Sequence, residues 1–282
     1  MGLFWSKNIY QKFTSLKDVL RIQLGELRRH IRLQTIYKAV LVLAVGLTLI
    51  YAVQGFYTDF MSPFSNAISP LIACLTVISS ALALRKYEPK MNRFSLVWVC
   101  LTGGMMLWFL GELSWATYAF ALNVEIPYPS IADIFWLSGY IPLFIALLVY
   151  CRLFASALSR RTISIIAMAI IILSIIVSVA LIIPIIGVEE DPTTFIIDLA
   201  YPLLDLALLS TALVGLAVFQ KGTLGKSWLL IILGILSNAA GDMIFSYTTA
   251  QGTYYNGHPS DMLFIYGYLL FMLAFYIHTK EL

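Results

Sequence analysis

Charge is scarce in this sequence, and its scarcity excludes the soluble classes of protein. Asp, Glu, Lys and Arg make up 12% of the 282 residues, whereas 60% of the residues are hydrophobic. A soluble domain carries about twice that proportion of charged residues. The composition therefore predicts an integral membrane protein.

Cysteine and histidine are also rare, which removes several kinds of site. The three cysteines lie in or at the ends of apolar segments and form no close pair, so neither a disulfide framework nor a cysteine-based zinc site is indicated. Two of the three histidines, His30 and His278, lie at the ends of the chain that we predict to be cytoplasmic. A histidine-rich zinc hydrolase or a bis-histidine haem site is therefore not expected.

Motifs of the common catalytic classes are missing as well. No lysine lies within a long apolar run, so a retinal Schiff base has no anchor, and the sequence contains no nucleotide-binding loop, G-x-S-x-G or H-E-x-x-H. We predict that the protein is not an enzyme and that it has no cofactor other than a bound cation. A membrane-embedded transferase with a metal on its acidic residues is the enzymatic alternative.

Long apolar runs are what the sequence has instead. A helix needs about 20 apolar residues to cross a bilayer core of about 30 Å. Eight such runs occur, at 39–57, 64–84, 94–119, 132–151, 162–186, 197–220, 227–248 and 261–279. They are continuous rather than alternating, so they predict an all-α protein with eight transmembrane helices and not a barrel.

The basic residues predict the orientation of these eight helices. All 18 Lys and Arg residues fall before the first run, after an even-numbered run, or at the end of the chain. Because Lys and Arg concentrate in cytoplasmic loops, we expect both termini inside the cell and the protein in the cell membrane. Eleven of the 15 acidic residues lie in the outer loops or within the spans.

Three segments make up the predicted organisation. Residues 1–38 carry an apolar residue every three or four positions and many basic residues between them, which predicts an amphipathic helix at the inner membrane surface or one that packs under the bundle. Residues 39–152 and 162–282 each contain four of the eight runs. The lipid bilayer is the expected partner, and the sequence contains no nucleic-acid-binding module.

The two four-helix segments are related by an internal repeat. Gly111 and Gly241 are each followed by an acidic residue, and 18 residues later by Pro-Ser, then by an Asp that precedes a Gly-Tyr pair. The corresponding positions are Pro70 with Pro202, Glu112 with Asp242, Asp133 with Asp261, and Tyr140 with Tyr268. An offset of about 130 residues spans four helices, so the repeat is parallel, with its axis along the membrane normal.

Acidic residues within the spans are the candidate functional groups. Glu112, Asp205 and Asp242 lie where a charge costs at least a few kcal/mol, and no Lys or Arg lies in a span to pair with them. Asp133 and Asp261 have a structural alternative, because each lies near a serine at the start of a helix, where an acidic residue acts as a cap.

Helical spacing adds aromatic residues to this set. Trp115 follows Glu112 by three residues, and Tyr140 and Tyr268 each follow an aspartate by seven, so each lies on the same helix face as its acid. We predict a ligand-binding pocket open to the outer side and lined by these residues. A cation, a cationic amphiphile or a proton suits it, although many tyrosines also serve as interface anchors.

Three short motifs together resemble a known class: GELSW from Gly111, PSIAD from Pro129 and PSD from Pro259. The last two each lead into a helix that contains a Gly-Tyr pair. It is similar to the multi-span input regions of archaeal and bacterial sensor kinases and diguanylate cyclases. The resemblance implies signal detection in or outside the membrane. The chain departs from that class because it has no output module, so output would need a separate signalling partner.

Three functions follow as hypotheses. The first is a stand-alone, sensor-like membrane module in which the acidic pocket binds a cation, a small ligand or a proton. The alternative is a small secondary transporter built from the two four-helix repeats. A structural subunit of a membrane complex, which needs no ligand, is the third.

Overall fold

The computed structural model describes residues 3–87, 93–122, 124, 126–154, 158–183, 186, 191–219 and 225–281. These residues are almost entirely helical and contain no strand. The long helices are α1 (Leu3–Ala52), α2 (Thr58–Leu84), α3 (Arg93–Thr117), α4 (Ile131–Phe154), α5 (Arg160–Val177), α6 (Pro192–Phe219), α7 (Gly225–Ala250) and α8 (Asp261–Glu281). Short 3₁₀ turns cover Gln54–Phe56 and Arg85–Tyr87, and π-helical turns extend α3 and α5 over Tyr118–Leu122 and Ser178–Ile182.

Eight segments of these helices are long and apolar enough to cross a membrane, which confirms the predicted number of spans. The chain is thus a multi-pass membrane protein. A helix is the form expected in lipid, because every backbone polar group must there be satisfied within the segment. The first span begins at Ile31 and ends at Ala52, earlier than the predicted 39–57, since the chain turns at Gln54–Phe56.

The chain forms two compact units, Met1–Leu43 and Ala44–Leu282. Helix α1 runs from Leu3 through the predicted boundary at residue 38 without a break, and no proline occurs in it to interrupt the helix. Residues 1 and 2 and the side chains of residues 3–20, 22, 26 and 28–30 lie outside the described part, so the amphipathic face predicted for residues 1–38 stays a prediction.

Within the second unit, six helices form a closed ring. In order around the ring, α2 contacts α3, α3 contacts α4, α4 contacts α6, α6 contacts α7, α7 contacts α8, and α8 contacts α2. Helix α5 packs on α6 and exposes most of its apolar side chains. The largest buried side chains, among them Trp98, Trp228, Tyr150 and Phe271, belong to ring helices.

Glycines let neighbouring helices of the ring approach closely. A Cβ on Gly104 of α3 would lie 2.5 Å from Leu143 Cγ of α4, and a Cβ on Gly139 would lie 2.4 Å from Trp108 Cδ1. Helices α7 and α8 meet in the same way: a Cβ on Gly267 would overlap the side chain of Asn238. Small residues at such crossings are typical of membrane helices, whose association depends on close van der Waals packing.

The two ends of the ring differ in charge. The described Lys and Arg residues of the ring helices lie at one end, for example Arg85, Arg93 and Arg152. At the other end lie the first turns of α2, α4, α6 and α8, and the loops 53–57 and 251–260. Acidic side chains, including Asp133 and Asp261, occur at this second end, which we call the acidic end.

Candidate functional site

A cavity of about 90 Å³ lies between the ring helices at the acidic end. All six ring helices contribute to its wall. The lining residues are Ser65, Asn66, Ser69, Trp108, Glu112, Trp115, Asp133, Trp136, Tyr140, Tyr201, Asn238, Asp242, Phe245, Ser246, Tyr254, Asp261, Phe264 and Tyr268. Four of them are acidic and none is basic, so the cavity is suited to a positively charged occupant.

Hydrogen bonds from tyrosines cross the ring and end on the intramembrane acids. Tyr268 of α8 donates its hydroxyl to Glu112 Oε1 of α3 at 2.9 Å. Tyr140 of α4 lies 2.7 Å from Asp205 Oδ1 of α6 and 3.0 Å from Asp242 Oδ2 of α7. Glu112 is 9% exposed and Asp205 is 2% exposed, so these bonds provide the polar partners that buried carboxyl groups require.

Asp133 acts as a helix cap and as a cavity residue at once. Its Oδ2 accepts hydrogen bonds from the backbone N–H of Ser130 at 2.7 Å and from the Ser130 hydroxyl at 3.0 Å. The Ser130 hydroxyl in turn accepts from the N–H of Ala132 at 3.2 Å, which completes a capping box at the start of α4. Its Oδ1 accepts from Tyr201 of α6 at 2.7 Å, so Asp133 also joins two ring helices.

Asp261 holds the loop that precedes α8. Its Oδ2 accepts from the backbone N–H of Gly257 at 3.1 Å, and its Oδ1 accepts from Tyr254 at 3.2 Å. Gly257 has a φ of 90°, which favours glycine, and its Cα faces the Met61 carbonyl of α2. Burial, together with the charge of Asp261, raises the pKa of Tyr254 well above its ordinary value, so this phenol remains a donor at neutral pH.

Tryptophans form much of the apolar wall. The indole N–H of Trp115 donates to Asn66 Oδ1 at 3.1 Å, and that of Trp108 donates to the Trp136 carbonyl at 3.1 Å. The Trp108 ring makes an edge contact with Tyr140, with ring centroids 5.6 Å apart. These bonds fix the orientation of the Trp108 and Trp115 indoles in the wall.

The structure brings the predicted site residues together. Of the eight residues predicted from the sequence, seven line the cavity: Glu112, Trp115, Asp133, Tyr140, Asp242, Asp261 and Tyr268. The eighth, Asp205, does not line it and is joined to it through Tyr140. Trp115 lies on the same wall as Glu112 but bonds to Asn66, which helical spacing within α3 could not indicate.

Several lining residues were not predicted. Tyr201 lies four residues before Asp205, so the spacing rule that selected Trp115 could have selected it, but its partner Asp133 is on another helix. Tyr254 lies seven residues before Asp261, a spacing that means little in a loop. Trp136, which packs against Gly111, has no signal in the sequence that separates it from an interface tryptophan.

Metal ligation and similarity to known proteins add no further assignment. In the described ranges, no group of three or more His, Cys, Asp or Glu side chains is arranged to hold a metal ion. Comparison with protein-family models, with curated proteins and with solved structures finds no match to this chain. The resemblance to sensor input regions therefore stays a prediction.

Proposed function

We propose that the chain is a sensor-like membrane module built from two parallel four-helix halves, residues 39–152 and 162–282, with both termini and the basic end of the ring in the cytoplasm. The order of helices around the ring supports the repeat, because α2, α3 and α4 are followed by α6, α7 and α8 in the same sequence. The paired glycine crossings, Gly104 with Gly139 and Gly234 with Gly267, support it as well.

One observation carries the functional part of this proposal. The tyrosine of each half bonds to the acid of the other half: Tyr140 of the first half reaches Asp242, and Tyr268 of the second half reaches Glu112. Both bonds lie at the cavity wall. A cation or small ligand that enters the cavity, or a change in protonation there, therefore acts directly on the contacts that join the halves and biases how they pack.

The first experiment measures thermal unfolding of the purified chain in detergent against pH and a panel of small cations. We expect occupancy to raise the midpoint, and the effect to be lost in Glu112→Gln and Asp242→Asn. Asp59→Asn is the matched control, because Asp59 is an exposed aspartate at the same end of the bundle.

The proposal also predicts a separate signalling protein that copurifies with the chain and whose binding depends on the cavity. A triple variant with Glu112, Asp205 and Asp242 neutralised should lose that dependence. If its stability and partner binding changed with pH as the wild type does, the cavity would not be the sensing site.

A small secondary transporter is the second candidate, and the basic end of the ring favours it. There the ring is closed by two aromatic stacks: Tyr150 on Trp228 with centroids 3.7 Å apart, and His278 on Trp98 with centroids 4.0 Å apart. A cavity closed towards one side of the membrane is what alternating access requires. Flux of a cation in proteoliposomes that disappears in Asp242→Asn would establish transport, and binding without flux would exclude it.

A further inference from the structure

The walls of the cavity combine two features that recognise organic cations. Five aromatic side chains from four ring helices face it besides the tyrosines: Trp108, Trp115, Trp136, Phe245 and Phe264. The face of an aromatic ring attracts an ammonium group within about 6 Å of its centroid, and tryptophan does so best. The described lining residues also present four carboxyl groups and no basic side chain.

The carboxyl groups are arranged less well for a hard metal ion. Calcium takes six to eight oxygen ligands, mostly from carboxylates that converge on one point. Here Asp133 and Asp261 are occupied by backbone N–H groups and tyrosines at the starts of their helices, and Glu112 accepts from Tyr268. A quaternary ammonium ion needs no converging ligands, because its charge is stabilised by ring faces and by carboxylates at a distance, and a primary ammonium ion needs acceptors for only three N–H groups.

The cavity volume limits the size of the occupant. The cavity has a volume of about 90 Å³, which is several times the minimum of about 10–15 Å³ that one water molecule requires. A small organic cation such as methylammonium or tetramethylammonium is therefore a reasonable occupant.

A proton must occupy the cavity wall when no cation is bound. Tyr140 has one hydroxyl proton but lies within 3.0 Å of two carboxyl oxygens, Asp205 Oδ1 and Asp242 Oδ2. Both contacts are favourable only if the phenol oxygen also accepts a proton from one carboxyl. Asp205 Oδ2 is also buried with no donor among the described residues, so two negative charges on Asp205 and Asp242 would be poorly stabilised without a proton on the pair.

Among the residues that the structure describes, no positively charged side chain lies beside this group to replace the proton. The titratable side chains that face Asp242 from the helices packed around it are Tyr140 of α4, Asp205 and Tyr201 of α6, Glu112 of α3 and Tyr268 of α8. From α2 the cavity receives only Ser65, Asn66 and Ser69. Every ionised neighbour is thus an acid, and a second negative charge at Asp242 requires a compensating cation.

We infer that the cavity binds a small organic ammonium ion, and that this ion enters in exchange for one proton held by Asp205, Tyr140 and Asp242. The inference rests on the proposed function of the cavity. On binding, the carboxyl of Asp242 releases its proton to water and faces the ammonium ion, while Tyr140 keeps its own proton and donates to Asp205. One positive charge enters and one leaves, so the net charge of the buried site is unchanged.

The test is isothermal titration calorimetry on the full chain in lipid nanodiscs, in two buffers with different ionisation enthalpies. Methylammonium, tetramethylammonium and Ca²⁺ are the probes, since the first two separate primary from quaternary ammonium. We expect an ammonium ion to bind with release of about one proton, and its affinity to fall about tenfold for each unit by which the pH is lowered.

Two variants test whether the released proton comes from the pair of Asp205 and Asp242. Asp242→Asn should abolish the dependence of the binding heat on the buffer, and Asp205→Asn should reduce it, since each removes one member of the pair. Asp59→Asn should leave both the affinity and the released proton unchanged. Infrared spectroscopy of the ligand-free protein should show a protonated carboxyl band that the bound ammonium removes and that Asp242→Asn lacks.

The possible results separate the inference from the proposed function. Ammonium binding with a heat independent of the buffer would overturn the proton exchange and leave a ligand-binding cavity. Binding of Ca²⁺ alone would overturn the ammonium class and leave a cation sensor. Binding of no cation in the wild type, with the infrared band insensitive to all probes, would overturn this inference and leave protonation of the cavity as the signal of the proposed function.

Discussion

At the scale of single residues, the tyrosine hydroxyls decide whether the buried acids are tolerated. Tyr268→Phe removes the donor to Glu112 Oε1 and adds no bulk, so it leaves a buried acceptor without this partner. Such a loss costs about 1–3 kcal/mol, and more if the acceptor is charged. We expect the thermal unfolding midpoint in detergent to fall. Tyr247→Phe is the control, because Tyr247 is 61% exposed.

A double-mutant cycle assigns that cost to the pair. Glu112→Gln keeps the shape of the side chain, and in the Glu112→Gln background the further change Tyr268→Phe should cost less than in the wild type. Equal costs in both backgrounds would show that the hydroxyl acts through another partner.

The residue scale also shows what the sequence could and could not indicate. Glu112, Asp205 and Asp242 stood out because an acidic residue within an apolar run has a cost that demands a partner. The partner itself was hidden, since the spacing rule joins Asp133 to Tyr140 along α4, whereas the structure joins Asp133 to Tyr201 and Tyr140 to Asp242. Spacing along one helix gives the shared face but not the neighbour across the ring.

At the scale of helices, we expect substitution by alanine to have opposite effects on stability at two adjacent glycines of α3. A Cβ on Gly104 would meet Leu143 Cγ at 2.5 Å and the Gly139 carbonyl oxygen at 3.2 Å, whereas a Cβ on Gly103 would meet nothing within 4 Å. Gly104→Ala should therefore destabilise the α3–α4 contact by about 1–3 kcal/mol, as overpacking does. Gly103→Ala should be neutral or stabilising by up to about 1 kcal/mol.

Thermal unfolding of the two alanine variants, side by side, checks this contrast. The same loss of stability in both would mean that backbone freedom, and not the crossing with α4, is what Gly104 provides. The repeat in the sequence marks Gly111 and Gly241, but it does not indicate that they pack against Trp136 and Phe264.

At the scale of the whole molecule, the number of spans could be predicted from apolar length alone, whereas the closed ring could not. Lipid imposes the length of each helix, but it is equally apolar around all of them, so the order of contacts depends on details of side-chain fit. The junction of α1 shows the same limit. A change from amphipathic to apolar composition near residue 38 suggested a boundary, although nothing in that stretch interrupts the helical hydrogen bonds.

The orientation of the molecule gives a final prediction. Ser159 and Gln251 are both exposed, and helices α5, α6 and α7 separate them, so an odd number of crossings places them on opposite sides of the membrane. Ser159 lies beside Arg160 and Arg161, which we expect in the cytoplasm by the positive-inside rule.

In a background with Cys74, Cys100 and Cys151 changed to alanine, an impermeant maleimide added to intact cells should label Gln251→Cys. It should label Ser159→Cys only after permeabilisation. The reverse pattern would place the cavity on the cytoplasmic side and make the ammonium ion an internal ligand, while labelling of both in intact cells would contradict three crossings between them.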